Sequence, residues 1–368
     1  MLQHRVRRRR SATNDAVRCA AIGLPSRSRT QSHVYRVSSK QVLITGAAGF
    51  IGSHLTERCL EMGWRVTAID GFLPYYDEQL KRKNIAEAAD HPRCTFVEGN
   101  LLDLDLGRLA QKVSVVFHFA AQAGVRTSWD AFPQYVTANI EATQRLLDAV
   151  KDIDLDRFIL ASSSSIYGDA EKLPTHEDVL PRPVSPYGVT KLTSEHLAAV
   201  YRQSFRIPTV CLRLFTVYGP RQRPDMAINR LTASALANEP FTVFGDGEQT
   251  RDFTYVSDVV RATIAASTKG VPGSAYNIGG GARRSMNSVF ALLEGLLGRS
   301  VPREYQETQL GDARDTGADT GRAQHDLRWG PAVGFEEGLK AQVEWQAALM
   351  KDPERRATSA GPLPHWVG

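Results

Sequence analysis

From Lys40 onward, short apolar runs alternate with amphipathic patterns of helical period. The runs are rich in β-branched residues and hydrophobic at nearly every position, which is typical of strands buried on both faces. Alternation of such strands with helices predicts βαβ units around a parallel sheet, and therefore an α/β fold of the doubly wound class. The six runs are QVLITG, WRVTAID, CTFVEGN, VVFHFAA, RFILASS and PTVCLRLF.

After Phe215 the pattern changes to loops punctuated by Gly and Pro, with helical patterns near residues 225–237 and 287–297. We therefore expect a smaller C-terminal domain, some segments of which return to the main sheet. The predicted division is a disordered basic extension at 1–39, a sheet-based domain at 40–217, the smaller domain at 218–346 and a loose tail at 347–368.

Charge is distributed unevenly along the 368 residues. The net charge is +5, but residues 1–40 contain ten Lys or Arg and one acid, Asp15, so the rest of the chain is slightly acidic. Because the basic excess belongs to the N-terminal extension, the body is not predicted to bind nucleic acid. No apolar run approaches the roughly 18 residues of a membrane span, so no membrane association is expected.

The N-terminal extension lacks the apolar segment of a secretory signal. Its Arg- and Ser-rich composition also fits a transit segment, but we interpret it as a disordered arm without a catalytic role. Cysteines 19, 59, 94 and 211 have neither metal-ligand nor disulfide spacing, which predicts a reducing compartment, the cytoplasm. The nine histidines also lack ligand spacing, so no metal site is predicted, and His118, in an apolar run, is interpreted as a hydrogen-bonded core residue.

Gly46, Gly49 and Gly52 follow the first apolar run directly and begin a helical pattern. Glycine at such a turn lets backbone N–H groups approach a pyrophosphate, which the helix N-terminus also attracts. Glycine turns are common between strands and helices, so a second signal is needed. Asp70 supplies it, because it ends the second run 24 residues after Gly46, where a carboxylate accepts hydrogen bonds from a ribose diol.

Asp70 could alternatively begin a turn before Gly71. The residues that follow it, GFLPYY, contain no base to receive a 2′-phosphate. The sequence therefore favours NAD over NADP as the cofactor.

Four hydroxyl side chains follow one another at the end of the fifth run, in ASSSSIYG. Serines at strand ends often form turns in which their hydroxyls satisfy the backbone. Alternatively, these hydroxyls face a polar ligand at the carboxyl edge of the sheet.

Downstream, SPYGVTK places Tyr187 and Lys191 four residues apart. Ser185 is the predicted N-cap of a helix and Pro186 its first residue. Residues four apart share a helix face, so the phenol and the ammonium can act on one site. Such pairs also arise by chance, and this one gains weight from the glycine turn and from Ser163.

In these motifs and their order, the sequence resembles the extended short-chain dehydrogenases, and among them the nucleotide-sugar epimerases. The resemblance covers roughly residues 40–346. It implies a Rossmann-type doubly wound parallel sheet with a smaller C-terminal substrate-binding domain, NAD as cofactor and a UDP-sugar as substrate. The motifs are GxxGxxG at 46–52, HFAAQAGVR at 118–126, SSSSIYG at 162–168, YxxxK at 187–191, FTVYGPRQRPDMA at 215–227 and GDGEQTRDFTYVSD at 245–258.

The resemblance implies residue roles. Tyr187 is the implied catalytic base. Lys191 is implied to hold the nicotinamide ribose and to lower the pKa of Tyr187. Ser163 is implied to hydrogen-bond the reacting hydroxyl. Hydride would leave the sugar carbon for NAD and return to the opposite face of the ketone. The implied cofactor-binding residues are Gly46, Gly49, Phe50, Ile51, Gly52, Asp70, Asn100, Leu101, Ala120, Ala121, Gln122, Tyr187 and Lys191.

Relatives that remove water or carbon dioxide usually carry an acid just after the catalytic hydroxyl, where this sequence has Ser164 and Ser165. With no acid to divert the ketone, we predict a 4-epimerase that inverts C4 through a transient 4-keto intermediate. DGFLPYYDEQLKRKN and FTVYGPRQRPDMA look most like segments of UDP-glucuronate 4-epimerases, which predicts UDP-glucuronate and UDP-galacturonate as substrates. The alternatives are a UDP-glucose/UDP-galactose 4-epimerase, a decarboxylase or dehydratase, and a catalytically silent NAD-binding protein.

Substrate contacts are implied in the same way. The hydroxyls of Ser164, Ser165 and Thr216 would hold the sugar carboxylate, although they also suit a neutral sugar. Guanidinium groups suit a diphosphate because of their bidentate geometry, and the alternative for each candidate is a solvated surface charge. The remaining implied substrate residues are Arg126, Arg223 and Arg251, with the last two assigned to the diphosphate, and Asp312, assigned to the uridine ribose.

Two positions depart from the family pattern. Asn100 stands where relatives often have Asp near the adenine, and Gln309 stands where some have an arginine on the phosphates. The resemblance also implies a homodimer, formed through a bundle of helices that includes the one bearing Tyr187.

Overall fold

A computed structural model gives the structure of residues 40–281, 283–307 and 313–351. Strands and helices alternate along most of this length. The strands are β1 (Gln41–Thr45), β2 (Arg65–Asp70), β3 (Cys94–Glu98), β4 (Val115–His118), β5 (Arg157–Ser163), β6 (Thr209–Leu214), β7 (Thr216–Tyr218), β8 (Phe241–Phe244), β9 (Thr250–Tyr255), β10 (Ala275–Ile278), β11 (Arg283–Ser285) and β12 (Arg303–Gln306).

The α-helices in the same ranges begin with the helix that follows the glycine turn and end at the last described residue. They are α1 (Phe50–Glu61), α2 (Glu78–Ala89), α3 (Leu106–Ala110), α4 (Phe132–Tyr135), α5 (Ala142–Val150), α6 (Pro186–Phe205), α7 (Ala227–Ala237), α8 (Val256–Lys269), α9 (Met286–Leu297) and α10 (Phe335–Lys351). A π-helical turn, Val136–Glu141, joins α4 to α5, and a 3₁₀ turn, Ser164–Ile166, follows β5.

The main sheet of the described chain is parallel throughout and has the strand order β10-β6-β5-β4-β1-β2-β3. Strands proceed outward in both directions from the neighbouring β1 and β4, which is the doubly wound arrangement. All six apolar runs form strands of this sheet, so the predicted Rossmann-type α/β fold is confirmed. The strand β10 was not predicted, because its four residues, AYNI, are too short and too polar to stand out.

Helices cover both faces of the sheet because neighbouring residues on each strand point in opposite directions. On one face, Val42 and Ile44 pack in a core with side chains of α1 and α8. On the other, Leu43 and Phe158 pack in a core with α5 and α6. The sheet is therefore buried on both sides, and its carboxyl edge is where polar residues follow the strands.

The remaining strands form two smaller sheets in the described ranges, with the orders β11-β9-β7 and β12-β8. Their core contains Tyr218, Leu231, Phe253, Phe290 and Leu339. The predicted helices near 225–237 and 287–297 are present as α7 and α9. The strand β7 spans the predicted domain boundary at 217/218, while β10 and α8 pack on the main sheet. The division into domains stays a prediction.

The predicted start of the tail at residue 347 is wrong, because α10 continues to Lys351. Residues 335–351 are mostly strong helix formers, and the first breaker in the sequence is Pro353. The predicted disorder of residues 1–39, and the rest of the tail from 352, lie outside the described residues. None of the helices in the described ranges is long and apolar enough to cross a membrane.

Candidate functional site

Polar side chains and glycines meet at the carboxyl edge of the main sheet, where they line one cavity of about 1300 Å³. The edge collects them because parallel strands all end on the same side. Every predicted catalytic, cofactor-binding and substrate-binding residue that the structure describes lines this cavity. Asp312 and Gln309 lie outside the described residues, so their predicted roles stay predictions.

The glycine turn forms the wall of the cavity between β1 and α1. Gly46 has φ +71°, and a Cβ there would lie 2.7 Å from the backbone nitrogen of Ala120, so the turn needs glycine. The N-cap of α1 is Gly49, which has no side chain to satisfy the first N–H groups of the helix. Those donors, on Phe50 and Ile51 at the cavity wall, fit an anionic pyrophosphate.

Asp70 ends β2 beside this turn. Its carboxylate oxygens accept hydrogen bonds from the backbone amides of Ala48 and Phe72, both at 2.9 Å. The side chain is 9% exposed and lines the cavity, so it still faces the predicted ribose position. The alternative interpretation, a turn-forming Asp70, is correct in part, because Phe72 is two residues downstream, while the ribose-binding role of Asp70 stays a prediction.

The other predicted cofactor residues surround the same part of the cavity. The side chain of Asn100 accepts from the amide of Leu102 at 3.0 Å, and the amide of Gln122 donates to Asn139 at 2.7 Å. These hydrogen bonds hold the loops after β3 and β4 in place. Leu101, Ala120 and Ala121 of the same loops line the cavity.

His118 is confirmed as a core residue. It is 2% exposed, and its two ring nitrogens hydrogen-bond the hydroxyls of Thr45 (2.7 Å) and Thr143 (2.9 Å). Burial, with the charge of Lys191, lowers its pKa to about 3, so the ring stays neutral. In the described ranges, no group of three His, Cys, Asp or Glu side chains could hold a metal ion.

The predicted helix bearing Tyr187 and Lys191 is α6. Ser185 caps it by accepting from the amide of Gly188 at 3.1 Å, and Pro186 is its first residue, as the sequence predicts. The amide of Tyr187 donates to Ser128 at 3.1 Å, which fixes the first turn against the loop after β4. The helix thereby presents Tyr187 and Lys191 to the cavity on one face.

Burial raises the pKa of the Tyr187 phenol, while the charge of Arg223 and a hydrogen bond with the Ser163 hydroxyl lower it. Burial also lowers the pKa of Lys191 to about 8, against the opposing charge of Glu195. Arg223 is thus a second cation near the predicted base. A phenol placed next to positive charge and a hydroxyl donor is suited to exchange a proton with a sugar hydroxyl.

The four serines have different surroundings. The Ser162 hydroxyl donates to Glu195 at 2.5 Å. The Ser163 hydroxyl accepts from the amide of Ser165 at 3.1 Å, so it stabilises the turn after β5 as well as facing Tyr187. Ser164 and Ser165 form that turn and line the cavity. The turn interpretation is therefore correct for Ser163, and the interpretation that these hydroxyls hold a ligand stays a prediction.

The three predicted substrate arginines occupy different parts of the cavity wall. The guanidinium of Arg126 lies over the ring of Phe244, 4.3 Å from its centre. Arg251 donates to the carbonyl oxygens of Thr250 and Arg314 at 3.0 Å. Arg223 forms a two-bond ion pair with Asp225. Its charge also lowers the pKa of Tyr187, so it lies near the catalytic end of the cavity, and its predicted contact with the diphosphate stays a prediction.

Several cavity residues were missed by sequence reasoning. Asp225 stands two residues after Arg223 in a motif from which only Thr216 and Arg223 were predicted to bind substrate. Tyr75 and Lys81 lie five and eleven residues after Asp70, and the Lys81 ammonium donates to the carbonyl of Leu73 at 2.6 Å. Tyr75 could have been predicted to line the cavity, because it follows closely after the strand end at Asp70. Lys81 reaches the cavity from α2, and no local pattern in the sequence indicates this.

Comparison with known proteins gives consistent results. The profile of the NAD dependent epimerase/dehydratase family matches residues 42–279. A Bacillus subtilis protein named "Uncharacterized UDP-glucose epimerase YtcB" is 44% identical over 84% of this chain and 98% of its own. The UDP-glucuronate 4-epimerase of Thermodesulfobacterium geofontis is 38% identical over 82% of this chain and 95% of its own.

Among solved structures, the UDP-glucuronic acid 4-epimerase of Bacillus cereus, in complex with UDP-glucuronic acid and NAD, is similar to this chain with a TM-score of 0.82. It is 45% identical, and the match covers 84% of this chain and 99% of that one.

Proposed function

Because the chain belongs to the NAD-dependent epimerase/dehydratase family, we propose that it inverts C4 of a UDP-sugar, interconverting UDP-glucuronate and UDP-galacturonate. One observation carries this proposal: Ser163, Tyr187 and Lys191 meet at one cavity in which Ser164 and Ser165, rather than acids, follow the catalytic hydroxyl. An acid at that point would help to remove water or carbon dioxide from the ketone. Hydroxyls leave the ketone to be reduced again.

The cofactor is NAD, and the residues fit it. The uncapped first turn of α1 offers N–H donors to a pyrophosphate, and Asp70 offers a carboxylate to a ribose diol. Lys191, on α6, lines the same cavity, and its ammonium can hold the nicotinamide ribose. When bound, NAD supplies the hydride acceptor for C4 of the sugar and the donor that returns the hydride to the other face.

The chain's own groups handle the proton. Tyr187 removes the proton of the C4 hydroxyl as the ketone forms and gives it back as the ketone is reduced. Ser163, which interacts with the phenol, holds the reacting oxygen in line with it. The charge of Arg223 stabilises the phenolate, because a cation near a phenol favours its ionised form.

The preference for a uronate is supported by the polar groups at the catalytic end. Ser164, Ser165 and Thr216 line the wall, and Arg223 brings a positive charge close to Tyr187. A carboxylate at C5 of the sugar would find hydroxyl donors and a guanidinium there. The second candidate is a UDP-glucose 4-epimerase, which the name of the B. subtilis relative favours.

We further propose a homodimer in a reducing compartment, the cytoplasm. The helix α6 exposes Val189, Val200 and Phe205, each more than two-fifths exposed, which suits helix packing against a second copy. The described cysteines, Cys59, Cys94 and Cys211, are all free thiols. Light scattering of the purified protein tests the dimer, and a monomer mass at micromolar concentration would contradict it.

The function is tested by incubating the purified protein with UDP-glucuronate and with UDP-glucose in separate reactions and resolving the products by NMR. We expect UDP-galacturonate from the first at a much higher kcat/KM than UDP-galactose from the second. Preferential conversion of UDP-glucose would support the second candidate. A UDP-pentose or a 4,6-dehydrated sugar would refute epimerisation.

A further inference from the structure

Arg223 and Asp225 form a closed ion pair in the wall of the catalytic cavity. Arg223 Nε lies 3.0 Å from Asp225 Oδ1, and Arg223 Nη2 lies 3.0 Å from Asp225 Oδ2. The two side chains are 22% and 21% exposed, so each contacts both the protein and the cavity. The Nε and Nη2 groups of this guanidinium are therefore already hydrogen-bonded to a carboxylate.

Asp225 is also held by a residue of a second loop in the cavity wall. The Tyr75 hydroxyl donates to Asp225 Oδ2 at 3.1 Å from the loop that follows β2. That hydroxyl is packed closely, because a Cβ on Gly124 would lie 2.1 Å from it. The carboxylate thus has an anchor other than Arg223, and it is expected to stay in place if the arginine is changed.

The pair carries opposite charges close to the catalytic phenol. The positive charge of Arg223 lowers the pKa of Tyr187, against burial, which raises it. Burial raises the pKa of Asp225, but the charge of Arg223 and the hydrogen bonds from Arg223 and Tyr75 together lower it further, so the pKa stays below its usual value and the carboxylate is ionised at neutral pH. Opposite charges at this separation cancel much of each other's field at a third group.

We propose that Asp225 is a positioning residue that offsets the charge of Arg223 and so sets how much positive charge reaches Tyr187 and the sugar. The inference rests on the proposed C4-epimerase function and extends it. Without Asp225, the cavity would hold the same guanidinium with no counter-charge. With both groups removed, the net charge would return to that of the native site.

The other ionisable and polar groups around these residues are unchanged by the variants below. Tyr187 is faced by Ser163 after β5 and by Tyr135 of α4 at 6.2 Å between ring centres, and Lys191 follows it by four residues on the same helix. Asp225 is faced by Tyr75 and Tyr76 from the loop after β2 and by Arg230 of α7.

The test is a double-mutant cycle with Asp225→Asn, Arg223→Gln and the double variant. Each enzyme is first checked for NAD content and melting temperature, and kcat/KM is then measured against pH. Asn keeps an oxygen for the guanidinium but loses the charge. We expect the acid limb of the profile to move down by roughly half to one pH unit in Asp225→Asn, and up in Arg223→Gln. In the double variant it should return to near the wild-type position.

The matched control is Glu57→Gln. Glu57 pairs with Arg221, two residues before Arg223, at 2.7 Å and with similar exposure, 27% and 23%. This variant also leaves an arginine of the same loop unpaired, but its acid limb should stay at the wild-type pH. An equal shift in Glu57→Gln would overturn the proposal, because it would show a general effect of charge.

An acid limb that does not move in folded Asp225→Asn would also overturn the proposal. If Asp225→Asn fails to fold, the Arg223→Gln and double variants are compared instead. The difference in pH between the acid limbs of their kcat/KM profiles then measures the effect of Asp225 alone. The double variant removes both members of a partly buried pair, which is less destabilising than removing one. Identical limbs in these two enzymes would refute the inference.

A second readout concerns the sugar. Asp225→Asn should lower KM for UDP-glucuronate relative to KM for UDP-glucose by roughly three- to tenfold. The pH profiles are recorded with whichever of the two sugars the wild type converts. Failure of the uronate assignment would therefore appear as a wild type that prefers UDP-glucose, while the cycle would still decide the role of Asp225.

Discussion

The carboxylate of Asp70 accepts a hydrogen bond from the backbone amide of Ala48 at 2.9 Å, and so joins the end of β2 to the glycine turn. The residue predicted to bind the ribose therefore also orders the turn predicted to hold the pyrophosphate. Cofactor affinity and local stability should depend on the same side chain.

Asp70→Ala should weaken NAD binding by about 1.5–3 kcal/mol, the scale of a hydrogen bond to a charged group. It should also lower the melting temperature, because the amides of Ala48 and Phe72 lose their acceptor. Calorimetric titration of NAD into cofactor-free protein measures the first effect. The control is Asp77→Ala, since that carboxylate also accepts from one backbone amide, of Gln79 at 2.9 Å, but lies outside the cavity wall. Equal NAD affinity in Asp70→Ala and wild type would show that the ribose assignment is wrong.

Tyr187→Phe should leave the fold and NAD content intact while reducing turnover by roughly a hundred- to ten-thousand-fold, the usual contribution of a general base. Ser163→Ala should reduce turnover in the same way, with some loss of stability, because the amide of Ser165 loses its acceptor. Tyr76→Phe is the matched control: this tyrosine also lines the cavity, but in the described chain its buried hydroxyl has no hydrogen-bond partner. If Tyr187→Phe kept its turnover, Tyr187 would not be the catalytic base.

Ser164→Ala should raise KM for UDP-glucuronate with little change in kcat, because the hydroxyl is proposed to bind the carboxylate in the ground state and in the transition state alike. KM for UDP-glucose should stay unchanged, since this sugar has no carboxylate. Initial rates with both sugars give the comparison. Equal changes for the two sugars would leave a neutral UDP-hexose as the better substrate assignment.

Acid should destabilise the protein through His54, which links α1 to the loop that carries Arg223. Its Nε2 hydrogen-bonds the carbonyl of Pro220 at 3.0 Å, and burial lowers its pKa from 6.5 to about 4. The unfolded chain therefore takes up a proton between these values while the folded one does not. This contribution to stability is present above pH 6.5 and is lost as the pH falls towards 4.

Urea unfolding at pH 7 and pH 5 measures this loss. His54→Gln should lose less stability over the interval than wild type, by at most about 1.4 kcal/mol per pH unit. His118, whose pKa burial lowers to about 3, titrates in both proteins and so cancels in the comparison. An identical pH dependence in wild type and His54→Gln would contradict the assignment.

Much of this arrangement could be predicted from the sequence, because parallel strands produce continuous apolar runs and because caps such as Ser185 act locally. The residues brought together from distant segments could not. Arg223 and Tyr187 are 36 positions apart, and no spacing rule places a guanidinium beside that phenol. Asp225 and Tyr75 are farther apart still, and their hydrogen bond depends on two loops that meet only in the folded chain.

The same reason explains the missed strand. Asn277 interrupts the apolar pattern of β10, yet it is fully buried because its side chain bonds the Tyr167 hydroxyl and the carbonyl of Thr175. Local hydropathy excludes such a residue from a strand core, whereas tertiary hydrogen bonds permit it.

In the proposed function, C4 is inverted by removal and return of the same hydride. This is tested with UDP-glucuronate that carries deuterium at C4, incubated with the purified protein without added cofactor. We expect UDP-galacturonate that keeps the deuterium at C4, because the hydride never leaves the site. We also expect a turnover with no requirement for NADPH. Loss of the deuterium to solvent, or a product that forms only when a reductant is supplied, would contradict this mechanism.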